Sequence, residues 1–242
     1  MIERGDSTSL LTVQNLTKRF GSEATAIDRV AFSAVAGEIL GVIGPNGAGK
    51  TTLLEAIAGL LPVDAGEILW CGEPLGLTRR RDAMFYLPDA MRPYRDQSAW
   101  QVLSFVASVF RRSDREIGET VAVLGLEPVL RKRVQALSKG YARRLMLALG
   151  LLAPHRLLLM DEPFDGFDLR QTRDIVGVLR NETARGRTLI LSIHQLADAE
   201  RVCDRFILLS AGRVRGIGGL AELRAETGLR GGSLEELFLA LT

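Results

Sequence analysis

Long apolar runs are missing from this 242-residue chain. The longest clean one spans only Leu145 to Ala153 and stops against Pro154, His155 and Arg156, well short of the roughly 18 residues that a helix needs to cross a bilayer. The chain is therefore not expected to span a membrane by itself. Met1 to Ser9 is polar and has no apolar centre, so no secretory signal is expected either. An excess of one charge is also absent. The formal net charge is +2, and the arginines, far more numerous than the lysines, are scattered rather than gathered in a block, so nothing demands a nucleic-acid partner. Cysteine is scarce: Cys71 and Cys203 lie far apart in apolar contexts, which points to reduced, buried thiols in a cytosolic protein rather than a disulfide. What remains is a chain long enough for a large core, expected to form one domain with lobes.

The stretch Gly44-Pro45-Asn46-Gly47-Ala48-Gly49-Lys50-Thr51-Thr52 stands between an apolar run, Ile39 to Ile43, and a helix-like segment, Thr52 to Gly59. A glycine, four residues, then glycine, lysine and threonine is the spacing of a phosphate-binding loop, in which backbone N–H groups close around a polyphosphate. Glycine is needed where side chains would block that approach. Lys50 can bridge the β- and γ-phosphates, the Thr51 hydroxyl can ligate Mg2+, and the following helix offers its positive end. A nucleoside triphosphate with Mg2+ is the ligand this chemistry takes.

Along the chain, Leu11, Val13 and Leu16, then Ile27, Val30 and Phe32, make short strand patterns separated by Gly21-Ser22-Glu23, an antiparallel flap ahead of the loop. Phe20 at its first strand end is either core or a platform for a purine. Strands are expected at Gly66 to Gly72 and Met84 to Leu87, the latter ending in Pro88-Asp89, and an acid at a strand terminus lies where parallel sheets bind ligands. From Gln97 to Leu137 the texture is helical, with Ser113 and Glu116 forming a capping box. Ser138 opens an apolar helix running to Leu152, where local evidence makes it an N-cap.

Leu157 to Met160 reads as a strand buried on both faces, closed by the adjacent acids Asp161 and Glu162. Ionised groups at such a place need compensation, which a Mg2+ at the phosphate loop would supply; the alternative is a solvated turn. A helix from about Leu169 to Ala184 and a strand from Thr188 to Ile193 follow, the strand ending at His194, a candidate polar catalytic group on the same edge. Two closing strands around Gly212 and a final helix, Leu234 to Leu241, capped by Ser233 and Glu236, complete the reading.

With the loop, Ser138-Lys139-Gly140, Asp161-Glu162 and His194 in this order around a helical insert, the chain resembles the ATP-binding subunit of an ATP-binding cassette (ABC) transporter over nearly its whole length. Ser233 to Thr242 is similar to the tail of the bacterial exporter-type branch. The resemblance implies an α/β P-loop NTPase of ABC type, a single domain over 1–242 with a mostly parallel sheet core. An antiparallel β flap would span about 1–36, an α-helical subdomain about 90–140, and a tail with a helix about 216–242. It implies that Phe20 stacks on adenine, that Gly44, Pro45, Asn46, Gly47, Ala48, Gly49, Lys50, Thr51 and Thr52 hold the phosphates, and that Thr51, Asp89 and Asp161 serve Mg2+. Glu162 would be the catalytic base, aided by His194 and Lys50. Ser138, Gly140 and Asp168 would face ATP across a dimer, expected to be a homodimer, docked on integral-membrane permease subunits at the cytoplasmic face of the cell membrane.

Three departures from the family pattern stand out: Asp89 where glutamine is usual, Leu-Ser-Lys-Gly-Tyr in place of Leu-Ser-Gly-Gly-Gln, and Asp165-Gly166-Phe167 in the loop before Asp168. The first bears on coupling to the membrane partner, the second adds a cation at Lys139 that either assists the γ-phosphate or points to solvent, and the third is bulkier than the common pattern while keeping Asp168. A soluble ABC-type ATPase acting on nucleic acid or ribosomes is the main alternative, but such proteins usually carry a long coiled coil or a second cassette, and neither is in this sequence. A P-loop GTPase lacks support, since no Asn-Lys-x-Asp stretch is present.

Overall fold

A computed structural model describes residues 9–21, 24–89, 91 and 93–242. The polar start before Ser9, and Ser22 and Glu23 of the expected turn, lie outside the described residues. Two antiparallel strands open the fold, β1 (Ser9–Phe20) and β2 (Ala24–Val35), each 12 residues long and so longer than the short patterns expected. The difference has a local cause. Their pairing shifts register repeatedly, and Asn15 and Arg29 take positive φ of 50° and 49° there, so bulges carry the ladder past places where the alternation breaks.

After β3 (Ile39–Ile43) the loop leads into α1 (Lys50–Ala58), stopped by Gly59 in the left-handed conformation. Next come β4 (Ala65–Trp70) and the short β5 (Glu73–Pro74), which extend the flap to a four-stranded sheet of order β2-β1-β4-β5. Between β4 and β5 the chain turns at Cys71, which has φ 50° and is exposed, correcting the expectation of a buried thiol in a strand; Cys203 is buried. An unexpected helix, α2 (Leu77–Ala83), has no apolar period to announce it. It is tied down instead by the buried Arg80, which donates to the Ala56 carbonyl at 2.6 Å and so satisfies the end of α1.

The remaining elements are β6 (Met84–Leu87), α3 (Ala99–Val109), α4 (Asp114–Leu124), α5 (Lys139–Leu152), β7 (Leu157–Asp161), α6 (Leu169–Ala184), β8 (Thr188–Ile193), α7 (Leu196–Val202), β9 (Arg205–Ser210), β10 (Arg213–Gly218), α8 (Leu220–Thr227) and α9 (Leu234–Leu241). The second sheet has six strands in the order β10-β9-β3-β8-β7-β6, parallel except for β10. Side chains that alternate along its strands feed two separate cores. Ile39, Ile43, Leu158, Met160, Leu189, Leu191, Phe206 and Leu208 pack towards the helices, and Leu40, Val42, Leu157, Leu159, Ile190, Ile207 and Leu209 pack towards α1 and the flap. Burial on both faces is why these strands read as continuous apolar runs. Each fully buried aliphatic side chain on these strands contributes about 1.5–3 kcal/mol.

Register places the site. Ile43 pairs with Ile193, and Asp161 with Ser192, so the carboxyl ends of β3, β7 and β8 fall on one edge, where open parallel sheets bind ligands. A line of backbone hydrogen bonds joins that edge to the flap: the Gly212 N–H donates to the Ala48 carbonyl at 3.0 Å, and the Asp28 N–H to the Gly212 carbonyl at 2.8 Å. No helix among the described residues is long and apolar enough to cross a membrane.

Candidate nucleotide-binding site

The loop from Gly44 to Gly49 turns directly out of β3 into α1, which starts at Lys50 with Gly49 as its cap at φ 102°. A Cβ on Gly49 would lie 2.4 Å from the Ala26 carbonyl oxygen, and one on Gly44 would lie 2.2 Å from that of Leu209, so both positions exclude a side chain by packing. Lys50 is buried, and its Nζ donates to the Gly44 and Pro45 carbonyls at 2.8 and 3.3 Å. The ammonium is thereby aimed into the loop. It also stands 3.8 Å from Glu162 Oε1.

Asp161 closes β7 as a buried carboxylate whose oxygens are both engaged. Its Oδ2 accepts from the Thr51 hydroxyl at 2.8 Å, and its Oδ1 accepts a short hydrogen bond from the Ser192 hydroxyl. Thr51 and Asp161 thus present two hard oxygens side by side. Among the described residues no three acidic, histidine or cysteine side chains gather into a metal cage. Mg2+ asks for none, since it is usually held by one or two carboxylates together with substrate phosphates and water, so this donor pair fits it.

Glu162 follows with φ 49°, a left-handed backbone for a residue that is not glycine. Such a conformation costs on the order of 1–3 kcal/mol and persists where the surroundings over-determine it. Here the Glu162 N–H is held by the Ser192 hydroxyl at 3.0 Å and by the Ser192 carbonyl at 3.2 Å. Its Oε2 accepts from the His194 backbone N–H at 3.2 Å and meets the His194 Nδ1 at 2.5 Å. The carboxylate is therefore swung over the loop, between the Lys50 ammonium and the imidazole. An aligned acid, imidazole and ammonium of this kind can orient a water molecule and take its proton.

A cleft of about 310 Å3 unites Asn46, Gly47, Gly49, Lys50, Thr51, Thr52, Asp89, Asp161 and Glu162, with Ala26 of the flap on its wall. Asp89 lines it, and its carboxylate is paired with the guanidinium of Arg143. Tyr86, nearby on β6, buries its hydroxyl without a hydrogen-bond partner among the described residues; burial first, and then the charge of Asp161, push the phenol far above its usual range, so it stays neutral. Ser138 and Gly140 lie elsewhere, lining a separate pocket of about 190 Å3 with Gly125, Tyr141, Arg144 and Gln171. Ser138 caps α5, accepting from the Tyr141 N–H at 3.4 Å. Asp168 caps α6 in a capping box with Gln171, its Oδ1 accepting from the Gln171 N–H at 2.8 Å. Phe20 is half-exposed at the end of β1, with the Lys18 Nζ 5.4 Å from its ring centroid.

Three residues at or beside the site had no local signal in the sequence. Ser192 is an ordinary strand residue until register sets it beside Asp161, and Arg143 is one cation among many on a helix. Tyr86 reads as one more member of an apolar strand.

A model of the ABC transporter family matches residues 27–165, more than half of the chain. The chain belongs to the ABC transporter family. It is 32% identical over 243 residues to the ABC-type transporter ATP-binding protein EcsA of Bacillus subtilis, covering 97% of each chain. It is 35% identical over 209 residues to the Nod factor export ATP-binding protein I of a Rhizobium species, covering 84% of this chain and 68% of that one. A solved ATP-binding subunit of an ABC transporter superposes with a TM-score of 0.87 at 32% identity, over 96% of this chain and 99% of the other. The fold is thus the P-loop ABC ATPase fold, and the chain is an ABC transporter ATP-binding subunit and an ATPase. CbiO1 from Clostridium perfringens, part of the cbiONQ complex, shares the fold with a TM-score of 0.78 at 24% identity.

Proposed function

We propose that this ABC ATPase binds Mg-ATP between two copies of itself, hydrolyses it, and drives export through separate integral-membrane subunits from the cytoplasmic face of the membrane. In this reading the N–H groups of Gly44 to Thr52 and the Lys50 ammonium hold the phosphates, and Phe20 stacks on the adenine. Thr51 and Asp161 hold Mg2+, which when bound offsets charge on the phosphate oxygens. Ser138, Gly140 and Asp168 close the site from the opposite copy, which accords with Ser138 and Gly140 lying in a pocket of their own, apart from the phosphate loop. Export rather than import is favoured by the similarity to the Nod factor export proteins.

The observation that carries hydrolysis is the strained Glu162, locked by Ser192 and His194 so that its carboxylate faces Lys50. Glu162 orients the attacking water and accepts its proton, His194 steadies that carboxylate and reaches the γ-phosphate, and Lys50 draws the phosphate in. A general base contributes about 10²- to 10⁴-fold in rate. Glu162→Gln is therefore expected to slow phosphate release at least a hundredfold while leaving equilibrium binding of a fluorescent ATP analogue within about threefold. Hydrolysis near the unmodified rate would remove Glu162 from its role.

A further inference from the structure

The three departures from the family pattern meet in space. Arg143, buried in the second turn of α5, turns its Nη2 onto the Asp89 carboxylate and stands 3.6 Å from Asp165 Oδ2, while its Nε donates to the Asp165 carbonyl at 3.2 Å. One turn earlier, the Lys139 Nζ sits 3.2 and 3.0 Å from the two Asp165 oxygens. The hydrogen bond from Lys139 is the main reason the Asp165 carboxyl lies below its usual range. Two cations and two carboxylates thus form one cluster joining the start of α5, the strap after β6 and the loop after β7.

The cluster is built for, as the backbone beneath it shows. Gly166 has φ +86°, and a Cβ there would lie 2.7 Å from the Lys139 side-chain carbons, so the turn is bare where the lysine stem crosses it. Lys139 also occupies the first turn of α5, the end of a helix where a cation is disfavoured. Asp165 offsets that cost. Arg143 is the hinge of the arrangement, because it touches both carboxylates.

The geometry points to Arg143 as a positioning residue that holds Asp89 in reserve: Asp89 lines the cleft beside Thr51 and Asp161, yet its Oδ1 is committed to a guanidinium, so drawing the carboxylate onto Mg2+ works against that ion pair. Binding of Mg-ATP is thereby opposed by the Asp89–Arg143 pair. Conversely, an Asp89 drawn to the metal releases Arg143 and unties the loop after β7 from the strap. A binding-competent state populated only in part weakens apparent affinity by that fraction, and removing the competing partner restores it. The proposal rests on the Mg2+ site read above from Thr51 and Asp161.

The test is equilibrium binding of a fluorescent ATP analogue by the full chain across a Mg2+ concentration series, with thermal melting as a check on folding. Arg143→Gln is expected to lower the half-saturating Mg2+ concentration at least about fivefold, the low end of typical coupling factors. Arg143→Lys should stay near the unmodified protein. Asp89→Asn should raise the concentration needed, and adding Arg143→Gln to it should change nothing further. An unchanged Mg2+ curve in folded Arg143→Gln, or the same shift with and without Asp89, overturns the proposal. If Arg143→Gln does not fold, an unmodified Mg2+ curve for Asp89→Asn overturns it instead. Asp161→Asn separates the two readings: if it leaves the Mg2+ dependence intact, the metal site itself is misplaced.

Discussion

Cys71 and Cys203 are a pair that composition treats alike and the fold does not. Cys71 sits at the β4–β5 turn, exposed, followed by Gly72 at φ 85°. Cys203 is packed so closely on β3 that a Cβ on Gly41 would be 2.7 Å from its Sγ, and burial pushes its thiol far above the usual range. The nucleophile in thiol chemistry is the thiolate, so Cys203 is blocked both sterically and chemically. Titration of the native protein with Ellman's reagent at pH 8 is expected to report one thiol, the second appearing only after denaturation; rapid labelling of both would contradict the packing of α7 on β3. At the same scale, the phosphate loop and the acid pair were legible because their chemistry lies in consecutive residues. That Cys71 belongs to the turn rather than to the strand was not, because Leu69 and Trp70 before it carry the strand pattern to its edge. Neither was the positive φ of Glu162, which is imposed by Ser192, a residue thirty positions away and adjacent only through strand pairing.

At the level of elements, short apolar strands and capped helices were readable, and helices without a period were not. The capping boxes at Ser113 and Ser233 both form as their spacing predicts. The equivalent boxes at Ser98 and Asp168 lack glutamate and use Gln101 and Gln171, a weaker signal with the same geometry. α2 escaped notice because its sequence is mostly charged and its anchor, Arg80, acts by bonding to the end of another helix. The flap's second half, β4 and β5, was readable as a strand and a turn but not as a partner of β1, since antiparallel pairing over so long a separation leaves no local trace. Asp168 gives a measurable case. Its carboxylate satisfies an otherwise unpaired N–H at the start of α6, and loss of such a cap typically costs about 1 kcal/mol. Asp168→Ala is expected to lower unfolding free energy by about that amount in urea titration, whereas Asp168→Asn, which can still cap, should stay close to the unmodified protein.

For the whole molecule, the proposed dimer asks one copy to carry half of each of two sites. The loop, Asp161, Glu162 and His194 form one edge of the six-stranded sheet, and Ser138 with Gly140 opens a different pocket at the start of α5. Two copies related by a twofold axis would bring each pocket to the other's loop, the usual closed solution for a self-complementary face. Slowing hydrolysis should trap that pair. Glu162→Gln with ATP and Mg2+ is expected to sediment as a dimer and to return to monomer when ATP is replaced by ADP; a protein that stays monomeric at saturating ATP would argue against the shared site. The overall α/β architecture and the order of its parts were visible in the sequence because the loop, the acid pair and His194 each sit at the end of a strand. Which motif faces which was not, since that depends on strand order and on a second copy.

The hydrogen-bonded line from Ala48 through Gly212 to Asp28 has a practical meaning for anyone altering this protein. It makes the turn between β9 and β10 a surveyor's mark, from which both the phosphate loop and the flap take their position. Residues spliced in beside Gly212 would displace the cradle even though they touch no nucleotide. Among the described residues the turn between α8 and α9, at 228–232, has no hydrogen bond to the phosphate loop or the flap, so a short tag carried there is expected to leave binding of the ATP analogue unchanged.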